Sequence, residues 1–177
     1  GAGVMVLESL EHARARGATI HGEWLGAGSA NDAFDMAAPE DGGAGIVSAM
    51  RRALTRAALA PSDIDYINAH GPGTPVGDRI ESRAIRRFFG EHADALMVSS
   101  TKSMHGHMMG AAGAVEAIIA LLTCQRGIVP PTINYDVPDP ECDLDFVPNV
   151  ARHTPVRRAM STSVGLGGHN SAIIFER

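Results

Sequence analysis

Three polar loops in this 177-residue chain hold the residue types best suited to chemistry. They are Asn68-Ala69-His70-Gly71-Pro72-Gly73-Thr74, Thr101-Lys102-Ser103-Met104-His105-Gly106-His107 and Gly165-Leu166-Gly167-Gly168-His169-Asn170. Histidine is the side chain that titrates nearest neutral pH, so His70 and His107 are candidates for proton-linked work. Taken singly, each loop also fits a structural role: a histidine hydrogen-bonded at a strand end, or a glycine-rich turn that is only a turn. Glu116 sharpens the case, because it is the sole ionisable group in the run Gly110 to Cys124, which is apolar nearly all round. A buried carboxylate must be paired or protonated. Lys102, the single lysine beside 14 arginines, is the natural counter-charge. Such a pair beside histidines can hold the protonation state of the imidazoles, or can be a purely structural ion pair.

Metal and dinucleotide chemistry are the competing readings of these loops. His105-Gly106-His107 offers two potential ligands, with Cys124 or Cys142 to add. Cys124 lies in the apolar run and Cys142 in a Pro-Glu-Cys-Asp turn, without the ligand spacing of a zinc site, so no metal is expected. The glycines of the third loop sit between two late strand patterns and open no helix, which is not a dinucleotide fingerprint.

The elements that must position these loops follow from periodicity. Val4 to Leu7 reads as a short buried strand. Glu8 to Arg16 reads as a helix stopped by Gly17, and Ala18 to Ala30 as a long strand. Asn31 to Gly45 is a loop. Ile46 to Ala58 is an amphipathic helix, with Ile46, Val47, Met50 and Leu54 opposite Arg51, Arg52 and Arg56. Ile64 to Ala69 is a strand ending at His70, followed by a loop broken by Pro72 and Pro75. Asp78 can cap the next helix, which runs to about Phe89 with Ile80, Ala84 and Phe88 inward. Leu96 to Ser99 is a strand, Thr101 to His107 a polar loop, and Gly110 to Cys124 a helix expected to be buried on all sides. Leu144 to Val147, Ala159 to Val164 and Ser171 to Phe175 read as strands. The order predicts an α/β chain: a mixed β-sheet layered between helices.

Composition narrows the function classes. Apolar residues make up 45% and charged residues 20%, as in ordinary globular domains and unlike disordered chains. The formal net charge is -5 and no basic stripe with interleaved aromatics occurs, which argues against a nucleic-acid partner. The longest strongly apolar run, Ala117 to Cys124, is far too short for a bilayer, so no membrane partner is expected. Two cysteines make no disulfide framework, and a reducing, cytoplasmic setting is the expectation. The chain opens on Gly1, so the lack of a visible targeting segment carries little weight.

Together the loops resemble the β-ketoacyl-[acyl carrier protein] synthases. Asn68 to Thr74 is similar to that family's N-A-H-G-T-x-T. Lys102 to Gly113 (KSMHGHMMGAAG) is similar to K-S-x-x-G-H-x-x-G-A-A-G, and Ser163 to Asn170 (SVGLGGHN) to S-F-G-F-G-G-x-N. Gly1 to Glu8, Asp32 to Pro39, Pro130 to Asn134 and Cys142 to Pro148 also resemble family segments, in the family's order. The resemblance implies a thiolase-like fold, with residues 1–177 as the C-terminal portion of a ketosynthase domain. It implies decarboxylative Claisen condensation of an acyl thioester with a malonyl thioester. His70 and His107 would be the two active-site histidines. Lys102 and Glu116 would organise the second histidine, and Asp78 would be a supporting acid. Thr74 would contact the phosphopantetheine arm. Leu166 would occupy the gate, in a glycine-rich loop whose backbone N–H, around Gly167, serves an oxyanion hole.

The same resemblance implies no cofactor beyond substrates carried on the phosphopantetheine arm of acyl carrier protein. Implied partners are acyl carrier protein, a homo- or heterodimer mate, and an N-terminal half on a separate chain that bears the nucleophilic cysteine. Neither Cys124 nor Cys142 has the setting of that nucleophile. Pro72 and Ala37 stand where the family commonly has threonines, Leu166 and Val164 where it has phenylalanines, and His105 where threonine is frequent. An alternative is a non-catalytic, chain-length-factor-like partner subunit, which the altered gate favours and the joint presence of His70, His107, Lys102 and Glu116 opposes. A thiolase would need a second cysteine near the last glycine-rich loop, where this chain has His169.

Overall fold

The structure is a computed structural model and describes residues 1–177. Its helices are α1 (Leu10–Ala15), α2 (Ala44–Ala57), α3 (Pro75–Phe89), α4 (Lys102–His105) and α5 (Ala112–Arg126). Its strands are β1 (Glu23–Asn31), β2 (Tyr66–Asn68), β3 (Met97–Ser99), β4 (Ile128–Val129), β5 (Arg152–His153), β6 (Arg158–Gly165) and β7 (His169–Glu176). One mixed sheet runs in the order β1-β7-β6-β2-β3, and β4 and β5 form a separate pair. β7 is antiparallel to β1 and β6, whereas β2 is parallel to both β6 and β3. No helix is long and apolar enough to cross a membrane.

The sheet is a filled layer because its strand side chains alternate between two apolar clusters. Ile67, Met160 and Ile174 join α2 and α3 in the larger cluster. Their neighbours Tyr66, Ala159 and Phe175 join Ala117, Ala120 and Cys124 of α5 in the other. α2 lies unusually close to β1, and glycine makes that approach possible. A Cβ on Gly28 would lie 2.1 Å from the Ala49 carbonyl oxygen and 2.6 Å from the Ala53 nitrogen. Gly28→Ala is therefore expected to lower stability by about 1–3 kcal/mol. Urea unfolding would show it as a lower midpoint at unchanged slope.

Several expectations from the sequence are corrected. Val4 to Leu7 is no strand: Val4 and Val6 are 83% and 84% exposed, because the segment finds no ladder partner in this chain. The first long strand starts only at Glu23. Leu144 to Val147 makes one isolated bridge, Met97 to Asp145, with a second just beyond it from Thr132 to Pro148, and the left-handed φ of Val147 (49°) interrupts any strand. Lys102–His105 forms a helical turn inside the expected polar loop. α5 is buried on one side only. Glu116, Ala117, Ala120, Thr123 and Cys124 face the sheet, while Val115, Ile118, Ile119, Leu121 and Leu122 remain half-buried, since the sheet covers a single face. Asp78 lies within the first turn of α3 and not before it, because Pro75 takes the first helical position.

Candidate active site

His70 follows β2, His107 follows α4, and the β6–β7 hairpin carries Leu166 and Gly167. The parallel pairing of β2 between β6 and β3 brings the C-terminal ends of these strands to one end of the sheet. There the rings of His70 and His107 meet edge-on, with centroids 5.4 Å apart and planes 80° apart. Both line one cleft of about 1110 Å³, together with Thr74 and Leu166. Leu166 is 68% exposed at this cleft. Gly167 does not line it: its N–H donates to the Met36 carbonyl (2.8 Å) and its carbonyl accepts from Asn31 Nδ2 (2.8 Å).

The His70 loop is held from beneath by three side chains. Glu81, 4% exposed, accepts from the backbone N–H groups of His70 (2.9 Å) and Gly71 (2.8 Å) and from Thr162 Oγ1 (2.8 Å). Sequence reasoning missed this residue. The available signal was a carboxylate one position from Ile80 and four before Ile85, inside the inward stripe of the helix. Ser100 Oγ donates to the Gly71 carbonyl (2.7 Å), an approach that leaves no room for a side chain at Gly71. Lys102 Nζ donates to the His70 carbonyl oxygen (2.5 Å) and to Glu116 Oε1.

The Lys102–Glu116 pair expected from the sequence is thus present and buried, with Glu116 0% exposed. Burial raises the Glu116 pKa and the Lys102 hydrogen bond opposes that rise. The lysine grips the backbone of the first histidine, whereas the resemblance tied the pair to the second. Its stem runs inward from α4 to the end of β2, beneath His70. Asp78 accepts from the N–H groups of Gly73 (3.2 Å) and Thr74 (3.3 Å), steadying the loop in front of α3. Burial, joined by the Glu81 charge, raises its pKa.

The two imidazoles are held differently. His107 Nδ1 accepts from the Met109 backbone N–H at 3.1 Å, which leaves the proton of the neutral ring on Nε2. Met109 adopts φ 50° to present that amide. Burial, reinforced by the Lys102 and His107 charges, pushes the His70 pKa down to about 3. His70 is therefore expected to stay neutral to near pH 3. The unfolded chain binds that proton near 6.5 and the folded chain does not, so this group makes stability fall as pH drops from 6.5 toward 3. An NMR titration of the imidazole checks this; a midpoint near 6.5 would contradict it.

Neither thiol belongs to the cleft. Cys124 is buried against the Phe175 carbonyl, and burial pushes its pKa up to about 11. Cys142 lines a neighbouring cavity of about 550 Å³ that shares Pro72, Glu81 and His107 with the cleft, and burial raises its pKa too. Thiols so shifted are poor nucleophiles near neutral pH. No three His, Cys, Asp or Glu side chains cluster in a metal-holding arrangement. The chain can therefore offer two imidazoles, one of them with a directed N–H, on a rigid polar base.

The fold is that of the thiolase-fold ketosynthases, and comparison with known proteins agrees. The family model "Beta-ketoacyl synthase, C-terminal domain" matches residues 21–136, and the chain belongs to that family. Its relatives include a 3-oxoacyl-[acyl-carrier-protein] synthase 2 from Coxiella burnetii, 49% identical over all 177 residues, and Nodulation protein E from a Rhizobium species, 51% identical. The chain spans only 43% and 44% of these relatives' lengths. A β-ketoacyl synthase from Burkholderia phymatum superposes with a TM-score of 0.90 at 40% identity, over 96% of this chain and 41% of that one. An acyl-carrier protein in complex with its type II PKS ketosynthase gives 0.93 at 40% identity, over 96% and 41%.

Proposed function

We propose that this chain supplies the two-histidine portion of a β-ketoacyl synthase that condenses an acyl thioester with malonyl-acyl carrier protein. The edge-on meeting of His70 and His107 in one cleft carries this reading. An N-terminal portion with the nucleophilic cysteine completes the site and takes the acyl group as a thioester. The malonyl thioester carbonyl then lies against the His107 Nε2–H and the neutral His70 ring. As CO2 leaves, negative charge grows on that oxygen, and a donor already aimed at it stabilises the enolate without reorganisation. The enolate carbon attacks the acyl thioester, forming the new carbon–carbon bond and releasing the cysteine thiolate.

His70 suits this role because burial keeps it uncharged near neutral pH, so it brings no imidazolium that would protonate the carbanion. Lys102, Glu81 and Glu116 act as supports of the His70 loop. Thr74 and Leu166, at the cleft, are the contacts for the phosphopantetheine arm that delivers substrate, and no other cofactor is required. The enzyme works as a dimer in the cytoplasm with acyl carrier protein as partner, a partner that one solved relative also engages. The chain-length-factor reading is weaker, since a partner without chemistry has no need of a directed His107 N–H above a buried ion pair.

The test is CO2 release from a radiolabelled malonyl thioester by the protein in which this chain is joined to its cysteine-bearing portion. Release, with a β-ketoacyl product when an acyl donor is present, is expected. A complete, folded protein that releases no CO2 and forms no product overturns the proposal.

A further inference from the structure

His105 takes no part in the chemistry above, yet both of its ring nitrogens are engaged. Nδ1 lies 2.9 Å from the carbonyl oxygen of Gly106, and Nε2 lies 3.1 Å from Thr101 Oγ1. Thr101 is fully buried and its hydroxyl also meets Asn68, whose Nδ2 is 3.2 Å away. Asn68 ends β2, two residues before His70, and Gly106 is the residue before His107. The imidazole therefore stands between the peptide that leads into one active-site histidine and the strand end that leads into the other.

The direction of each bond follows from the groups themselves. A carbonyl only accepts, so Nδ1 of the neutral ring must carry the hydrogen and donate to Gly106. Nε2 is then an acceptor, and the Thr101 hydroxyl, 3.1 Å from it and 3.4 Å from Asn68 Oδ1, turns its hydrogen toward the nearer Nε2. The Thr101 oxygen keeps a lone pair for Asn68 Nδ2–H. With the hydroxyl so turned, the donors of Asn68, Thr101 and His105 all point along the line toward Gly106. We propose that His105 is a positioning residue of the condensing site, an Nδ1–H imidazole that couples the His70 and His107 loops through Thr101 and Asn68. This rests on the function proposed above. It predicts opposite tautomers two residues apart, Nδ1–H at His105 and Nε2–H at His107.

A side chain with the same donor and acceptor should serve in place of the imidazole. His105→Gln offers an amide N–H and a carbonyl, while His105→Leu fills similar space and offers neither. In the complete synthase, His105→Leu is expected to lower kcat for malonyl decarboxylation about tenfold with little change in KM, because a loosened loop misplaces the reacting groups. His105→Gln should recover most of that loss. A purely structural role would lower the melting temperature of the leucine variant and leave kcat intact, and that result overturns the proposal. Imidazole nitrogen NMR on the wild type gives a readout independent of turnover. Nδ1–H at His105 supports the coupling, and Nε2–H at His105 overturns it even if the leucine variant fails to fold. Should the wild type release no CO2, the functional reading fails, while the tautomer still decides the link itself.

Discussion

Lys102→Met is expected to remove about 3–5 kcal/mol of folding stability, the usual consequence of deleting one partner of a buried ion pair. Glu116 is 0% exposed and its Oε2 already lacks a hydrogen-bond partner. Without Lys102 the other oxygen is orphaned too, and the His70 carbonyl loses its ammonium donor. Glu116 must then be protonated at neutral pH or remain as a bare charge in an apolar helix. The pair as a whole contributes far less than the single deletion suggests, since two buried charges lose much of their attraction to desolvation. Lys102→Met combined with Glu116→Leu should therefore recover a large part of the loss. Urea unfolding of the two variants against wild type measures both effects. A single variant within about 1 kcal/mol of wild type would show that the pair is solvated and does not support the loop, against the several kcal/mol expected for a dry one.

His107→Ala in the complete enzyme is expected to reduce malonyl decarboxylation about 10²–10³-fold, the scale on which one oxyanion donor contributes. The side chain is exposed at the cleft, and its hydrogen bond is to the Met109 N–H and not to the buried supports of the His70 loop, so the fold should survive. Acyl transfer to the cysteine should persist at a substantial rate, because the thiolate is not part of this chain and His107 is assigned to the enolate step. The two half-reactions can be read separately, one as labelled acyl-enzyme and the other as CO2. Undiminished CO2 release would remove His107 from its assigned role. Loss of both half-reactions with an altered melting temperature would instead point to a structural part for the ring.

The parts of this site that were legible in the sequence are those that conflict with their own surroundings. Glu116 stands out as one charge in an apolar run, and Lys102 as its mate; both are where that conflict requires. His70 and His107 were singled out as loop histidines, but their spacing of 37 residues says nothing about distance, and only the resemblance of their motifs implied a common pocket. Glu81 went unnoticed because it continues an ordinary amphipathic helix, where a single carboxylate reads as part of the solvated face. Val4 to Leu7 has the composition of a strand and is not one, because a strand exists only with a neighbour to pair with. The half-buried apolar side of α5 was misread for the same reason, since hydrophobicity marks a face that seeks cover without naming the cover.

By itself the sequence determined three helices, read over Ile46 to Ala58, Asp78 to Phe89 and Gly110 to Cys124 and found at Ala44–Ala57, Pro75–Phe89 and Ala112–Arg126, the last two strands with a glycine-rich turn between them, and the need to pair Glu116. These depend on periodicity, capping and charge within a few residues. Tertiary structure alone decided which loops meet, that Lys102 grips the His70 carbonyl and not the second histidine, and that Glu81 cradles the His70 loop. It also set the local bond from Met109 that fixes the proton of His107 on Nε2. The physical reason is that the parallel register of β2 with β6 and β3 converts separations of tens of residues into contacts of a few ångströms, and hydrogen bonds choose partners by position and not by order in the chain.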